Sequence, residues 1–139
     1  MRLLFMDRNN RNSPDNENAL KEESELIKDL QSILHKEYGY SPNQMGYNVS
    51  LGADSQRMAD LVVFDENKSP IIVAEIKKSR FVLPLSEYQL KELLFDSNAH
   101  FGLLYSGEEK RVYQRIGNSL VQIKDIPKAK YKIKEILYI

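Results

Sequence analysis

Residues 59–78 read ADLVVFDENKSPIIVAEIKK, and the fold turns on how this stretch is paired. Two apolar runs rich in Val and Ile, Leu61–Phe64 and Ile71–Ala74, flank the polar segment Asp65–Pro70. That pattern predicts two strands joined by a hairpin loop. A loop centred between Asn67 and Lys68 opposes residues whose numbers sum to 135, so Asp60 falls across from Glu75 and Met58 across from Lys77. Side chains alternate faces along a strand, which puts Asp60, Glu75 and Lys77 on one face. A two-residue shift keeps the carboxylates as diagonal neighbours, whereas a one-residue slip sends them to opposite faces.

Two like charges beside Leu61, Val62, Val63, Ile72 and Val73 are unfavourable unless something offsets them. A proton held at raised pKa, the ammonium of Lys77, or a divalent cation would each do so. Oxygen donors without cysteine or paired histidine suit a hard ion, Mg²⁺ or Mn²⁺, with Asp60 and Glu75 as its ligands. Lys77 beside such an ion is suited to orienting an attacking water or stabilising charge on a phosphoryl oxygen. The plain alternative is a surface Glu75–Lys77 pair worth about 0–1 kcal/mol.

The rest of the chain frames this hairpin. Residues 1–18 read as a flexible leader, with a short strand at residues 3–6, and residues 19–139 as one domain. Leu26, Ile27, Leu30, Ile33 and Leu34 follow helical spacing over about 19–38. Gly39 stops that helix and Pro42 marks the break. Residues 45–51 read as a strand with a turn at 52–55, residues 84–97 as a second helix with Leu90, Leu93 and Leu94 inward, and 101–105 as a buried strand. Residues 111–116 and 120–123 form a hairpin around Gly117–Asn118. The tail, KAKYKIKEILYI, suits an edge strand or a helix. The order is α-β-β-β-α-β and then a β-hairpin, an α/β (α+β) class with a mixed central sheet flanked by helices.

Composition narrows the function. The 139 residues carry 20 basic and 20 acidic side chains and no cysteine. Thiol chemistry, disulfides and zinc clusters are excluded, which fits a cytoplasmic location. No apolar run approaches the roughly 20 residues of a membrane span. A strongly basic total is missing, although Lys77–Arg80, Lys110–Arg115 and Lys128–Lys134 contain basic clusters, more commonly solvated than phosphate-bound. His35 and His100 stand apart at no ligand spacing, and no phosphate-binding glycine loop or nucleophile elbow occurs. The tyrosines are scattered, as core or interface residues are, rather than forming a base-stacking platform.

Asp60 followed after fourteen residues by Glu75-Ile76-Lys77 resembles the PD-(D/E)xK nuclease motif. More narrowly, about residues 22–114 resemble the N-terminal nuclease domain of type I restriction enzyme R subunits. Glu23 at the helix start, Gly39-Tyr40, Arg57-Met58-Ala59-Asp60, Glu75-Ile76-Lys77 and Gln89 occur in that family's order. The family's Gln-x-x-x-Tyr motif departs at Leu93. The resemblance implies a restriction-endonuclease-like fold and Mg²⁺-dependent hydrolysis of DNA. It implies Asp60 and Glu75 as metal ligands, Lys77 assisting water, Glu23 as an acidic helper, and Gln89 supporting the site or the DNA backbone. Glu22 or Glu25 takes Glu23's role if the helix phase differs. Other restriction-system subunits are the implied partners. The rival readings are an inactive nucleic-acid-binding or partner-docking module of the same fold, and an RNA or repair nuclease with the same core.

Overall fold

A computed structural model describes residues 22–51, 57–78 and 81–129. The expected leader, the strand at 3–6, the turn at 52–55 and most of the tail lie outside them. Helix α1 spans Glu23–Lys36. A single 3-10 turn, Pro42–Gln44, leads into strand β1, Met45–Leu51. Strands β2, Arg57–Phe64, and β3, Pro70–Ile76, form the expected hairpin. Helix α2, Leu83–Ser97, carries the chain to β4, Phe101–Tyr105. Strands β5, Lys110–Ile116, and β6, Ser119–Ile123, close the described chain.

The six strands make one sheet in the order β1-β2-β3-β4-β5-β6. Every neighbouring pair is antiparallel except β3 and β4, which are parallel. A parallel pair needs a crossover, and α2 supplies it. The two helices cover opposite faces, and the period-two alternation of the strands sorts the core between them. Leu61, Val63, Ile72, Ala74, Leu103 and Val112 pack with Leu26, Leu30 and Leu34 of α1. Val62, Val73, Leu104 and Tyr113 pack with Leu90, Leu93 and Leu94 of α2. Contact on the α2 side is close: a Cβ at Gly102 would lie 2.5 Å from Leu94 Cδ1 and 2.9 Å from Leu90 Cδ2.

Local signals explain the element ends. Glu25 at the third position of α1 reaches back to accept a hydrogen bond from the Glu22 amide at 3.3 Å, one half of a capping box. Gly39 takes φ +86°, where glycine is least strained, and turns the chain out of α1. The Asp65 carboxylate closes the hairpin loop, accepting from the amides of Asn67 at 2.8 Å and Ser69 at 2.9 Å, an Asx turn.

One corner is tied together by polar contacts that are distant in sequence. The Tyr38 hydroxyl donates to Asp125 Oδ1 and accepts from Lys110 Nζ at 2.8 Å. Lys110 also pairs with Asp125 at 3.4 Å. The Tyr40 hydroxyl donates to the Pro127 carbonyl at 2.7 Å, and Lys128 Nζ to the Glu37 carbonyl at 2.8 Å. Residues 125–129 thus strap the C-terminal end of α1 to the sheet.

Candidate active site

The hairpin adopts the register that matters for chemistry. Leu61 pairs with Ala74, Val62 with Val73 and Val63 with Ile72, all in the frame that sums to 135. Continued by one residue, this frame sets Asp60 against Glu75. Next to the loop the frame differs: Phe64 pairs with Pro70, and a bulge separates that pair from Val63 and Ile72. Ile71 and Ile72 are therefore both buried against α1, two successive residues on one face. The loop is centred one step away from the expected point, and the bulge restores the frame before the carboxylates.

Asp60 lies at the end of the ladder, where its Oδ2 accepts a hydrogen bond from the Ile76 amide at 2.7 Å. Glu75 is half-buried beside it. Burial pushes the Glu75 carboxyl up to about 7; the neighbouring Asp60 charge adds to this, and Lys77 opposes it. Burial likewise raises Asp60, while the Ile76 amide and the Lys77 charge hold it down. The two carboxyl groups hydrogen-bond to each other. That contact lowers Asp60 and raises Glu75, so a proton at this site is favoured on Glu75.

Lys77 follows the last residue of β3, and its amide donates to the Tyr105 carbonyl at 2.9 Å, extending the β3–β4 ladder. Its Nζ donates to Gln89 Oε1 at 3.3 Å. Gln89 stands on the exposed side of α2, and the crossover helix thereby addresses the lysine from above the sheet. Glu23, in the first turn of α1, is close enough that its charge also raises Glu75. Glu25 is engaged in the cap, so of the three acidic residues at this helix start Glu23 is the one whose charge reaches the pair. All five expected residues thus converge on one end of β3.

Three of them, Glu75, Lys77 and Gln89, open onto a cleft of about 340 Å³ that is also lined by Arg57, Met58, Glu92 and Leu93. Leu93 is 4% exposed and packs into the core beneath α2. A second hollow, lined by Glu87, Tyr88, Lys91 and Tyr113 among others, contains no carboxylate pair. Among the described residues no group of three or more His, Cys, Asp or Glu side chains forms a ready-made metal cage. Two carboxylates fit a Mg²⁺-type ion nonetheless, because such an ion keeps several waters and takes one or two protein carboxylates together with substrate phosphates. The mutual repulsion of Asp60 and Glu75 is what a divalent cation would relieve.

Other candidates resolve as structural groups. His35 Nδ1 is 2.8 Å from the Tyr40 carbonyl. Lys110 is held in the strap, Arg111 pairs with Glu109 at 2.8 Å, and Arg115 lies over the Phe95 ring at 4.5 Å. Tyr38, Tyr40, Tyr105 and Tyr113 are buried. Sequence reasoning missed the partners of Arg57, whose guanidinium meets Glu92 at 2.5 Å and Asp96 at 3.1 Å. The i, i+4 spacing of two acids on an exposed helix edge was the available signal.

No described helix is long and apolar enough to cross a membrane. No curated protein sequence matches the chain. Among solved structures, the type IIG restriction endonuclease BpuSI is similar over 76% of this chain, with a TM-score of 0.51 and 18% identity. The match spans 12% of that much longer enzyme, and at this identity it speaks to the fold, which is restriction-endonuclease-like. Residues 22–127, most of the chain, match the family described as the type I restriction enzyme R protein N terminus. On this match the chain belongs to the family of type I restriction enzyme R protein N-terminal domains.

Proposed function

We propose that this domain is a divalent-metal-dependent endonuclease acting on DNA phosphodiester bonds. The observation that carries the reading is the half-buried Asp60–Glu75 pair, two acids side by side, with Glu75 and Lys77 opening onto the cleft. Asp60 and Glu75 would hold Mg²⁺ or Mn²⁺, which when bound supplies Lewis acidity and a more acidic water. Glu75 must lose its proton to act as a ligand, so metal affinity falls as pH drops below about 7. Lys77, positioned by Gln89, orients a water and stabilises charge developing on the phosphoryl oxygens. Glu23 adds negative potential near the pair and strengthens its preference for a cation.

The test is nicking of supercoiled plasmid with Mn²⁺ or Mg²⁺, compared among wild type, Glu75→Ala and Lys77→Ala. Cleavage by the wild type only, with all three folded, supports the mechanism. Equal cleavage by both variants would sink it. A second reading, an inactive docking or nucleic-acid-binding module, is favoured by Leu93, an apolar core residue where the resemblance expects tyrosine. Titration calorimetry with Mn²⁺ separates them, since an inert module binds no metal at millimolar concentration. DNA, and other restriction-system subunits, are the partners this reading implies.

A further inference from the structure

Arg57 opens the Arg-x-x-Asp segment and lines the same cleft as Glu75 and Lys77, yet its charge is turned onto α2. Its two terminal nitrogens are taken by different carboxylates, Nη2 by Glu92 Oε1 at 2.5 Å and Nη1 by Asp96 Oδ2 at 3.1 Å. The acids are one helical turn apart. Tyr88, one turn earlier and 59% exposed, hydrogen-bonds to Glu92. Arg57 and Asp96 are exposed, at 43% and 38%, and Glu92 is partly so, at 31%. Ion pairs so placed are weak and exchange readily.

We propose that Arg57 is a backbone-phosphate contact of the cleft, masked in the free protein by Glu92 and Asp96 and released to a DNA phosphate when a strand enters. The inference rests on the nucleic-acid reading above. The guanidinium fork fits the oxyanions of carboxylate and phosphate equally well, so a phosphate can replace the acids without moving β2. One cation between two anions leaves this trio with a net negative charge, which masks the guanidinium from a polyanion until the exchange takes place. The same cleft wall carries Lys77, so a strand bound at Arg57 runs toward the carboxylate pair. A simple tether between β2 and α2 would instead need Arg57 to stay where it is when DNA binds.

A double-mutant cycle distinguishes these, using a short fluorescent duplex without divalent metal across a salt series. Arg57→Ala should weaken binding and lower the slope of log affinity against log salt by about one. Glu92→Gln with Asp96→Asn should tighten binding roughly three-fold in the wild-type background and give no gain in the Arg57→Ala background. An equal gain in both backgrounds means bulk repulsion and overturns the latch. An unchanged salt slope in Arg57→Ala, or no duplex binding by wild type, overturns it as well. Mn²⁺ calorimetry on the same proteins keeps the two readings apart. Intact metal binding with a failed cycle removes the latch alone, whereas a positive cycle without metal binding removes the metal-dependent nuclease and leaves the latch.

Discussion

Two clusters in this molecule are built from the same kinds of side chain and behave in opposite ways. At the strap, Asp125 meets Tyr38 and Lys110, and the hydrogen bond from the tyrosine holds its carboxyl below the ordinary value. In the cleft, Asp60 and Glu75 meet each other, and burial drives both upward, Glu75 to about 7. The strap gives each polar group a partner of opposite character on elements far apart in sequence, and that is what an anchor requires. The cleft places like beside like and depends on a proton, or a cation, to make the arrangement tolerable. A balanced cluster stabilises the fold; an unbalanced one in an open cleft is set up to bind something.

The contrast can be broken by mutation, and the largest effect should fall on the cleft. Glu75→Ala should lower metal-dependent cleavage on the order of 100-fold or more, while the protein still melts cooperatively and no earlier than wild type. Plasmid nicking alongside thermal melts reads both.

Next in size is the stability released by removing one of the opposed acids. Glu75 has a native pKa of about 7, above its ordinary 4.5, so the unfolded chain gives up this proton first and stability falls as pH rises between those values. Glu75→Gln should therefore stabilise the metal-free protein at pH 8 by on the order of 2 kcal/mol, allowing for solvent screening. The gain should vanish near pH 4. Urea melts at the two pH values decide it, and an equal effect at both would mean the acids are not in conflict.

Tyr38→Phe should do the reverse. It removes the hydroxyl shared by Asp125 and Lys110 and should destabilise by about 1 kcal/mol, leaving Mn²⁺ binding unchanged by calorimetry. The smallest effect belongs to Asp125→Asn, because Asp125 is exposed. A few tenths of a kcal/mol are expected at neutral pH. This carboxyl is held low, so its contribution is present above the ordinary value of 3.8 and is lost as pH falls below it. The two proteins should converge in melts near pH 3.

Much of the cleft was legible because it is local. The hairpin, its frame and the shared face of Asp60 and Glu75 follow from alternation and loop length. Leu93 follows from one helix and its apolar side, whereas Gln89 stood out only through the family resemblance. Glu23 was legible only as one of three acids; the cap made by Glu25 is what separates them. The strap was not legible, since Tyr38 and Asp125 are distant in sequence and nothing in either neighbourhood announces the other. Arg57's partners were hidden for a related reason. An Arg on a strand and two acids on a later helix meet only once α2 has packed, and Gly102 sets how closely it does so.

The bulge at Ile71 amounts to a parity setting. Paired without it, β3 would carry on in the frame of Phe64 and Pro70, Asp60 would stand across from Ala74, and Glu75 and Lys77 would point toward α1. The reading frame of the hairpin is thus decided by one supernumerary residue that sits between the loop and the carboxylates. Deleting Ile71 would remove the bulge and still leave Ile72 opposite Val63 and Glu75 in phase with Asp60. An insertion confined to the Asp65–Ser69 loop would also keep the pair in phase, whereas one residue added between Ile72 and Glu75 would turn Glu75 and Lys77 to the opposite face. The length of the loop is thus free to change without moving the acids, whereas the number of residues between the bulge and Glu75 is not.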